Sequence, residues 1–160
     1  MTDLKRLAPD DWQLVREVRL RCLADSPGAF ASTYEREVGY DETRWRQLLG
    51  SGAWFVAVDG EAAVGLVCGF HPDDAPVGQV HLVAMWVAAE ARGTGLADRL
   101  IDAVVDWTRA EGGTEVTLGV TKGNDRARHV YERYGFLATE TNVPFEGRPD
   151  LVIDIYRLEV

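Results

Sequence analysis

Gln79-Val80-His81-Leu82-Val83-Ala84-Met85-Trp86-Val87, followed three residues later by Ala91-Arg92-Gly93-Thr94-Gly95-Leu96-Ala97, sets the architecture of this chain. A largely apolar strand runs through two closely spaced glycines into a helix whose apolar positions are Leu96, Leu100, Ile101, Val104 and Trp107. Gly112-Gly113 stops that helix, and Glu115–Thr121 then alternates Val116, Leu118 and Val120 against polar or small residues, the period of a strand. Strand, glycine turn, helix and strand in succession place the chain among the α/β or α+β folds.

Working outward, Trp54–Val58 and Ala63–Phe70 read as strands joined at the hairpin signal Asp59-Gly60. Ahead of them, Asp3–Leu7 is a short first strand, and Pro9-Asp10-Asp11 opens a helix through Leu14, Val15, Val18 and Leu20–Leu23 that Ser26-Pro27-Gly28 ends. Thr43–Leu49 forms another short helix. Downstream, Asn124 caps a helix carrying Ala127, Val130, Tyr131 and Tyr134, with Gly135 as its stop. Phe136–Thr141 and Leu151–Val160 are the closing strands, joined by a loop containing Pro144, Gly147 and Pro149.

The 160 residues contain no repeat or linker and suit one domain, 1–160. The polar start and the short longest apolar run, Leu82–Ala89, predict neither a secretory signal nor a membrane span, so the expected location is cytoplasmic. Cys22 and Cys68 lack metal-ligand spacing and read as reduced thiols in or near the core; no metal is expected. A net charge of −9 argues against nucleic acid and equally suits plain solubility or a cationic partner.

The Arg92–Ala97 turn carries the chemistry. The first N–H groups of a helix lack intrahelical partners, and the helix dipole adds positive character there. Gly93 and Gly95 remove side chains that would keep a bulky anion from the backbone, so a phosphate or pyrophosphate seat is expected. No Lys-Ser or Lys-Thr follows, which excludes the phosphate loop of nucleotide hydrolases. The dinucleotide fingerprint fails at its last position, Asp98, and lies too far along the chain.

Arg92-x-x-Gly95-x-Ala97, together with the later Asn124-x-x-Ala127-x-x-x-Tyr131-x-x-x-Gly135-Phe136, resembles the two motifs of the GNAT superfamily of acetyl-CoA-dependent N-acetyltransferases. The resemblance covers about Gln79 to Phe136 and implies a mixed, largely antiparallel sheet of about six to seven strands flanked by about four helices. It also implies roles residue by residue. Backbone N–H groups of Arg92, Gly93, Thr94, Gly95, Leu96 and Ala97 would hold the pyrophosphate of acetyl-CoA, the co-substrate. The strand edge at Trp86-Val87 would pair with the pantetheine arm and polarise the thioester carbonyl. Asn124 would contact that arm or tie the opening strands together, Tyr131 would protonate the departing thiolate, and Arg126 and Arg128 would reach the 3′-phosphate.

A thioester is already activated, so direct attack by a primary amine needs positioning, carbonyl polarisation and proton transfers rather than a protein nucleophile or metal. A tyrosine with a pKa near 10 suits donation to a thiolate. Asp98 stands where many relatives have a small hydroxyl or basic residue; it would stabilise the free helix terminus but repel pyrophosphate unless it points away. His81 is the lone titratable side chain on Gln79–Val87 and the candidate base there; Glu35, Glu37 and water are the others. Glu35, Glu37, Glu146 and Asp150, on Ala24–Glu35 and Asn142–Asp150 and nearby, would form an acidic rim suited to a cationic small-molecule or peptide amine, or a merely solvated surface. Two other functions compete: a non-catalytic coenzyme A-binding sensor or interaction module, and a nicotinamide-dependent oxidoreductase. The apolar strand Leu151–Tyr156 would let two copies pair, and a homodimer is the oligomer it favours.

Overall fold

The computed structural model describes residues 2–30, 32–145 and 147–160. Seven strands form one sheet: β1 (Thr2–Arg6), β2 (Ala53–Asp59), β3 (Ala62–Phe70), β4 (Gln79–Val87), β5 (Glu115–Thr121), β6 (Leu137–Phe145) and β7 (Arg148–Glu159). Their spatial order is β1-β2-β3-β4-β5-β7-β6, antiparallel except for β4 beside β5. The α-helices are α1 (Trp12–Asp25), α2 (Tyr34–Glu37), α3 (Glu42–Gly50), α4 (Leu96–Ala110) and α5 (Asp125–Tyr134). The sheet, the order of elements and the GNAT-like arrangement are those expected; the helices number five among the described residues rather than four, because a single turn, α2, is capped by Thr33 Oγ1 accepting from the Arg36 N–H.

The apolar stripe of α4 explains how the layers join. Leu96, Leu100, Ile101 and Val104 are buried against β2–β5, each such side chain contributing roughly 1.5–3 kcal/mol. The helix lies so close to β3 that a Cβ at Gly69 would come within 2.8 Å of Val104. Helices α1 and α3 pack on each other, α1 against β3 and α3 against β2. Cys22 and Cys68 are free and buried.

Two features split the sheet at its middle. The parallel pairing of β4 and β5 extends only over Gln79–His81 with Glu115–Thr117, after which the strands have no further pairing. Within β4, three residues span the distance that two span on β3, between the pairs Leu66–Trp86 and Cys68–Val83, a bulge where Ala84 takes a φ of +58°. A bulge bends and twists its strand, and this one lies beside the gap.

The closing strands depart from expectation. Asn142–Asp150 belongs to a hairpin rather than a loop, so only residues 146 and 147 separate β6 from β7. Pro144, opposite Val152, is tolerated because β6 is the outermost strand and Pro144 need not donate to a ladder. Strand β7 is paired on both sides, with β5 and β6, so Leu151–Tyr156 has no free edge with which to join a second copy. Among the described residues no helix is long and apolar enough to cross a membrane.

Candidate active site

The chain leaves β4, makes one 3-10 turn at Ala89–Ala91, and enters α4 through Gly93 and Gly95, whose φ values are +77° and +82°. A Cβ at either glycine would meet nothing within 4 Å, so the left-handed backbone, not crowding, is what calls for glycine. The turn is pinned by Thr94 Oγ1, which donates to Ala91 O at 2.5 Å, and tied to the end of β4 by Arg92 Nε, which donates to Val87 O at 3.3 Å.

The backbone donors show what this shape achieves. The Arg92 N–H already bonds Ala89 O, and the Arg99 N–H bonds Gly95 O. Between them the six consecutive N–H groups of Gly93, Thr94, Gly95, Leu96, Ala97 and Asp98 have no acceptor among the described residues, and Gly95 supplies no side-chain cap. The open run is therefore shifted one residue from the expected Arg92–Ala97. Such a concave row of donors at a helix start suits a polyanionic phosphate. The Asp98 carboxylate lies 3.5 Å from Arg133 Nη2 on α5 and is drawn toward that helix.

The split between β4 and β5 forms a cleft of about 400 Å³, walled by His81–Met85 of β4, Leu118–Thr121 of β5, and Asn124, Ala127 and Tyr131 around α5. Tyr131 is buried, its ring edge-on to Phe136 at 5.8 Å. Its hydroxyl has no hydrogen bond with a described residue, and burial pushes its pKa above the ordinary tyrosine value, so it keeps its proton at neutral pH. His81 Nδ1 lies 2.9 Å from Thr117 Oγ1, and burial pulls the imidazole pKa below its usual value, leaving it neutral at pH 7. The Asn124 amide oxygen accepts from the Ala127 N–H at 3.3 Å, which caps α5 and leaves the amide NH2 unspent.

Other expected residues lie elsewhere. Trp86 is buried under the guanidinium of Arg21 at 5.1 Å, and Trp86 and Val87 are not part of the cleft wall; the β4 segment that is ends at Met85. Arg128 is held by Asp125 and Glu132 on its own helix, whereas Arg126 has no ion pair among the described residues. Glu37 is buried, with both oxygens on Arg19, and is absent from the cleft wall, so it is unsuited to act as a base. Glu35 borders a separate hollow with Pro27 and Tyr34. Asp150 pairs with Arg148 at 3.5 Å on β7, and Glu146 lies outside the described residues. Phe30 and Phe145, within the segments Ala24–Glu35 and Asn142–Asp150 expected on the acceptor side, do line the cleft, as does Arg19, which sequence reading missed. The one available signal was Arg19 itself, a charge on the helical face it shares with Val15 and Cys22.

The model of the Acetyltransferase (GNAT) family matches residues 12–136. This chain belongs to the GNAT acetyltransferase family. N-acetyltransferase 8F1 of Rattus norvegicus is 32% identical over 123 residues, covering 75% of this chain and 55% of that protein. The chain spans about half the length, or less, of the first curated relatives it matches, the shares being 55%, 40% and 27%. Among solved structures, a GNAT acetyltransferase from Streptococcus pneumoniae superposes with a TM-score of 0.81 at 15% identity, covering all of both chains. The Salmonella typhimurium protein yncA, solved with its cofactor acetyl-CoA, gives 0.77 at 15% identity over 99% of this chain and 94% of its own. At those identities the likeness is one of fold.

Proposed function

We propose that this GNAT member transfers the acetyl group of acetyl-CoA to a primary amine by direct attack. The observation that carries the reading is the row of six N–H groups from Gly93 to Asp98 without an acceptor among the described residues, on the turn that follows the β4 strand whose other part walls the cleft. That row fits the coenzyme pyrophosphate, the unpaired edge of β4 fits the amides of its pantetheine arm, and Asn124 adds an amide donor. The 3′-phosphate falls to Arg126 rather than to Arg128, which is already paired.

Bound acetyl-CoA supplies an activated acyl thioester. The amine nitrogen forms the new C–N bond as the C–S bond breaks, one proton leaves nitrogen, and one is delivered to sulfur. Tyr131 is the group for the second proton, since its hydroxyl is protonated, unpartnered and on the cleft wall. His81, neutral at pH 7, takes the first, directly or through water. Backbone N–H groups of β4 near Ala84 polarise the carbonyl. Strands β1 and β6, the two outer edges of the sheet, replace β7 as the strands free to pair in any homodimer.

Thermal melting with acetyl-CoA, coenzyme A and NAD tests the donor seat. Ligand at a hundred times its Kd adds about 2.7 kcal/mol, a rise of several degrees, and the reading requires that rise with the coenzyme A forms alone. Thiol release with amines then tests catalysis. Tyr131→Phe is expected to lower kcat by roughly 10²–10⁴-fold while leaving the melting shift. A shift without turnover on any amine would instead favour the non-catalytic coenzyme A sensor.

A further inference from the structure

The donor-side groups account for the parts of the cleft contributed by β4 and α5. Beyond these and the β5 wall, the lining includes residues of α1, the segment after it and the closing hairpin, among them Arg19, Phe30, Ser32, Val143, Phe145 and Ile153. No aspartate or glutamate lines the cleft among the described residues, which disagrees with a cationic acceptor. Arg19 is the one permanently charged side chain on its wall among the described residues.

Arg19 is not used up by its ion pair. It donates side-on to Glu37, Nε to Oε1 at 3.0 Å and Nη2 to Oε2 at 3.1 Å. A guanidinium has five N–H donors in a rigid fork, so three remain. Their further contact among the described residues is Cys22 Sγ at 4.0 Å from Nη1, a thiol that burial keeps protonated, with a pKa pushed up to about 12. The guanidinium carbon sits 5.2 Å from the centre of the Phe30 ring, another part of the wall. Because Glu37 does not line the cleft and Arg19 does, the pair presents its cationic end to a bound molecule. In the lining of the same cleft, Ser32 Oγ is buried without a hydrogen-bond partner among the described residues. A nearly buried fork with donors to spare and an orphaned hydroxyl in one cleft call for an anionic acceptor group, since unmet buried donors are costly.

We infer that the acceptor is a free amino acid with an apolar side chain, its carboxylate held by Arg19 and Ser32 and its side chain among Phe30, Val143, Phe145 and Ile153. This rests on the acetyltransferase reading and names the substrate class for it. A polyamine or aminoglycoside offers only cations to a wall that carries no anion among the described residues. A peptide N-terminus offers the amine without the adjacent charge that Arg19 would meet. The cleft, about 400 Å³, falls in the range of small-ligand sites.

The test is thiol release from acetyl-CoA with L-phenylalanine, L-leucine, L-phenylalanine amide, phenethylamine and a short peptide beginning with phenylalanine. L-phenylalanine should exceed phenethylamine, the amide and the peptide by roughly tenfold to a hundredfold in kcat/KM, the span of a hydrogen bond to a charged group. Arg19→Met combined with Glu37→Leu removes both charges and should bring that ratio to about one, with the acetyl-CoA melting shift as the check on folding. Should that pair of changes not fold, Arg19→Lys keeps the charge and a partner for Glu37 but loses the fork, and should lower the same ratio several-fold. Equal or better use of phenethylamine or the peptide overturns the inference, as does a protein that binds acetyl-CoA yet acetylates neither amino acid. Failure to bind acetyl-CoA overturns the transferase reading first, and the acceptor assignment with it.

Discussion

The two halves of the proposed site are made of different materials. On the proposed donor side the groups are backbone: six N–H groups released by two left-handed glycines and a helix start, and a strand edge freed where β4 leaves β5. On the proposed acceptor side they are side chains from elements far apart in sequence, Arg19 and Phe30 near the start and Val143, Phe145 and Ile153 near the end. Backbone donors depend on conformation and are indifferent to most substitutions; side-chain donors depend on identity. One half of such a site can therefore stay fixed while the other is rebuilt for a new acceptor.

The sharpest way to break this contrast is at Arg19. Changing Arg19→Met alone strands the Glu37 carboxylate in the interior, and losing one member of a buried pair costs about 3–5 kcal/mol. Urea unfolding should show that loss, and adding Glu37→Leu should restore most of it, since two apolar side chains replace a pair. A single variant as stable as the parent would mean that Glu37 reaches water and that the acceptor wall is looser than described.

On the donor side the corresponding change is Gly95→Val. A φ of +82° costs an L-residue about 1–2 kcal/mol, more when it is β-branched, and the chain relieves that strain by turning the N–H groups out of their row. The melting shift with acetyl-CoA should vanish while the unliganded protein stays folded. A full shift in Gly95→Val would show that the seat does not depend on that backbone conformation.

What was legible in the sequence follows the same division. The limits of β4 and β5, the glycine turn and the Asn124 cap are local signals, each set by a few adjacent residues, and the structure places them where expected. The bulge at Ala84 had no such signal: alanine rarely takes a positive φ, and nothing about Val83-Ala84-Met85 distinguishes a bent strand from a straight one. The reach of β6 across Pro144 depended on its being an outer strand, a fact of topology. The Arg19–Glu37 pair joins α1 to α2 across eighteen residues, and α2 is a single turn without a periodic pattern. The segments Ala24–Glu35 and Asn142–Asp150 could be named from the sequence, but neither Arg19 nor which of their side chains meet in the cleft could, because tertiary packing, not local pattern, brings them together.

A smaller effect belongs to His81. Its folded pKa lies below the unfolded value of about 6.5, so the unfolded chain binds more protons as the pH drops past that point. The stability that the neutral imidazole allows is present above about 6.5 and is lost as the pH falls toward the folded pKa. Urea midpoints from pH 8 down to 5 should decline through that window, and His81→Gln should flatten the decline by no more than the one-proton slope, about 1.4 kcal/mol per pH unit. An unchanged slope would place the imidazole in contact with water and weaken its assignment as a base held neutral by burial.

The smallest effect is expected where the sequence looked most hostile to the donor. A carboxylate at Asp98 facing the pyrophosphate would oppose binding, and Asp98→Asn would then tighten acetyl-CoA on the order of tenfold. The structure sets Asp98 toward Arg133 instead, in an exposed pair that salt and water screen. Only the Asp98 backbone N–H faces the donor in this arrangement, and asparagine retains it. Asp98→Asn should accordingly change the Kd for acetyl-CoA by no more than about twofold, read by calorimetric titration at low and moderate salt. A tenfold gain that fades with salt would put the carboxylate at the phosphates and make the donor side, too, a matter of side-chain identity.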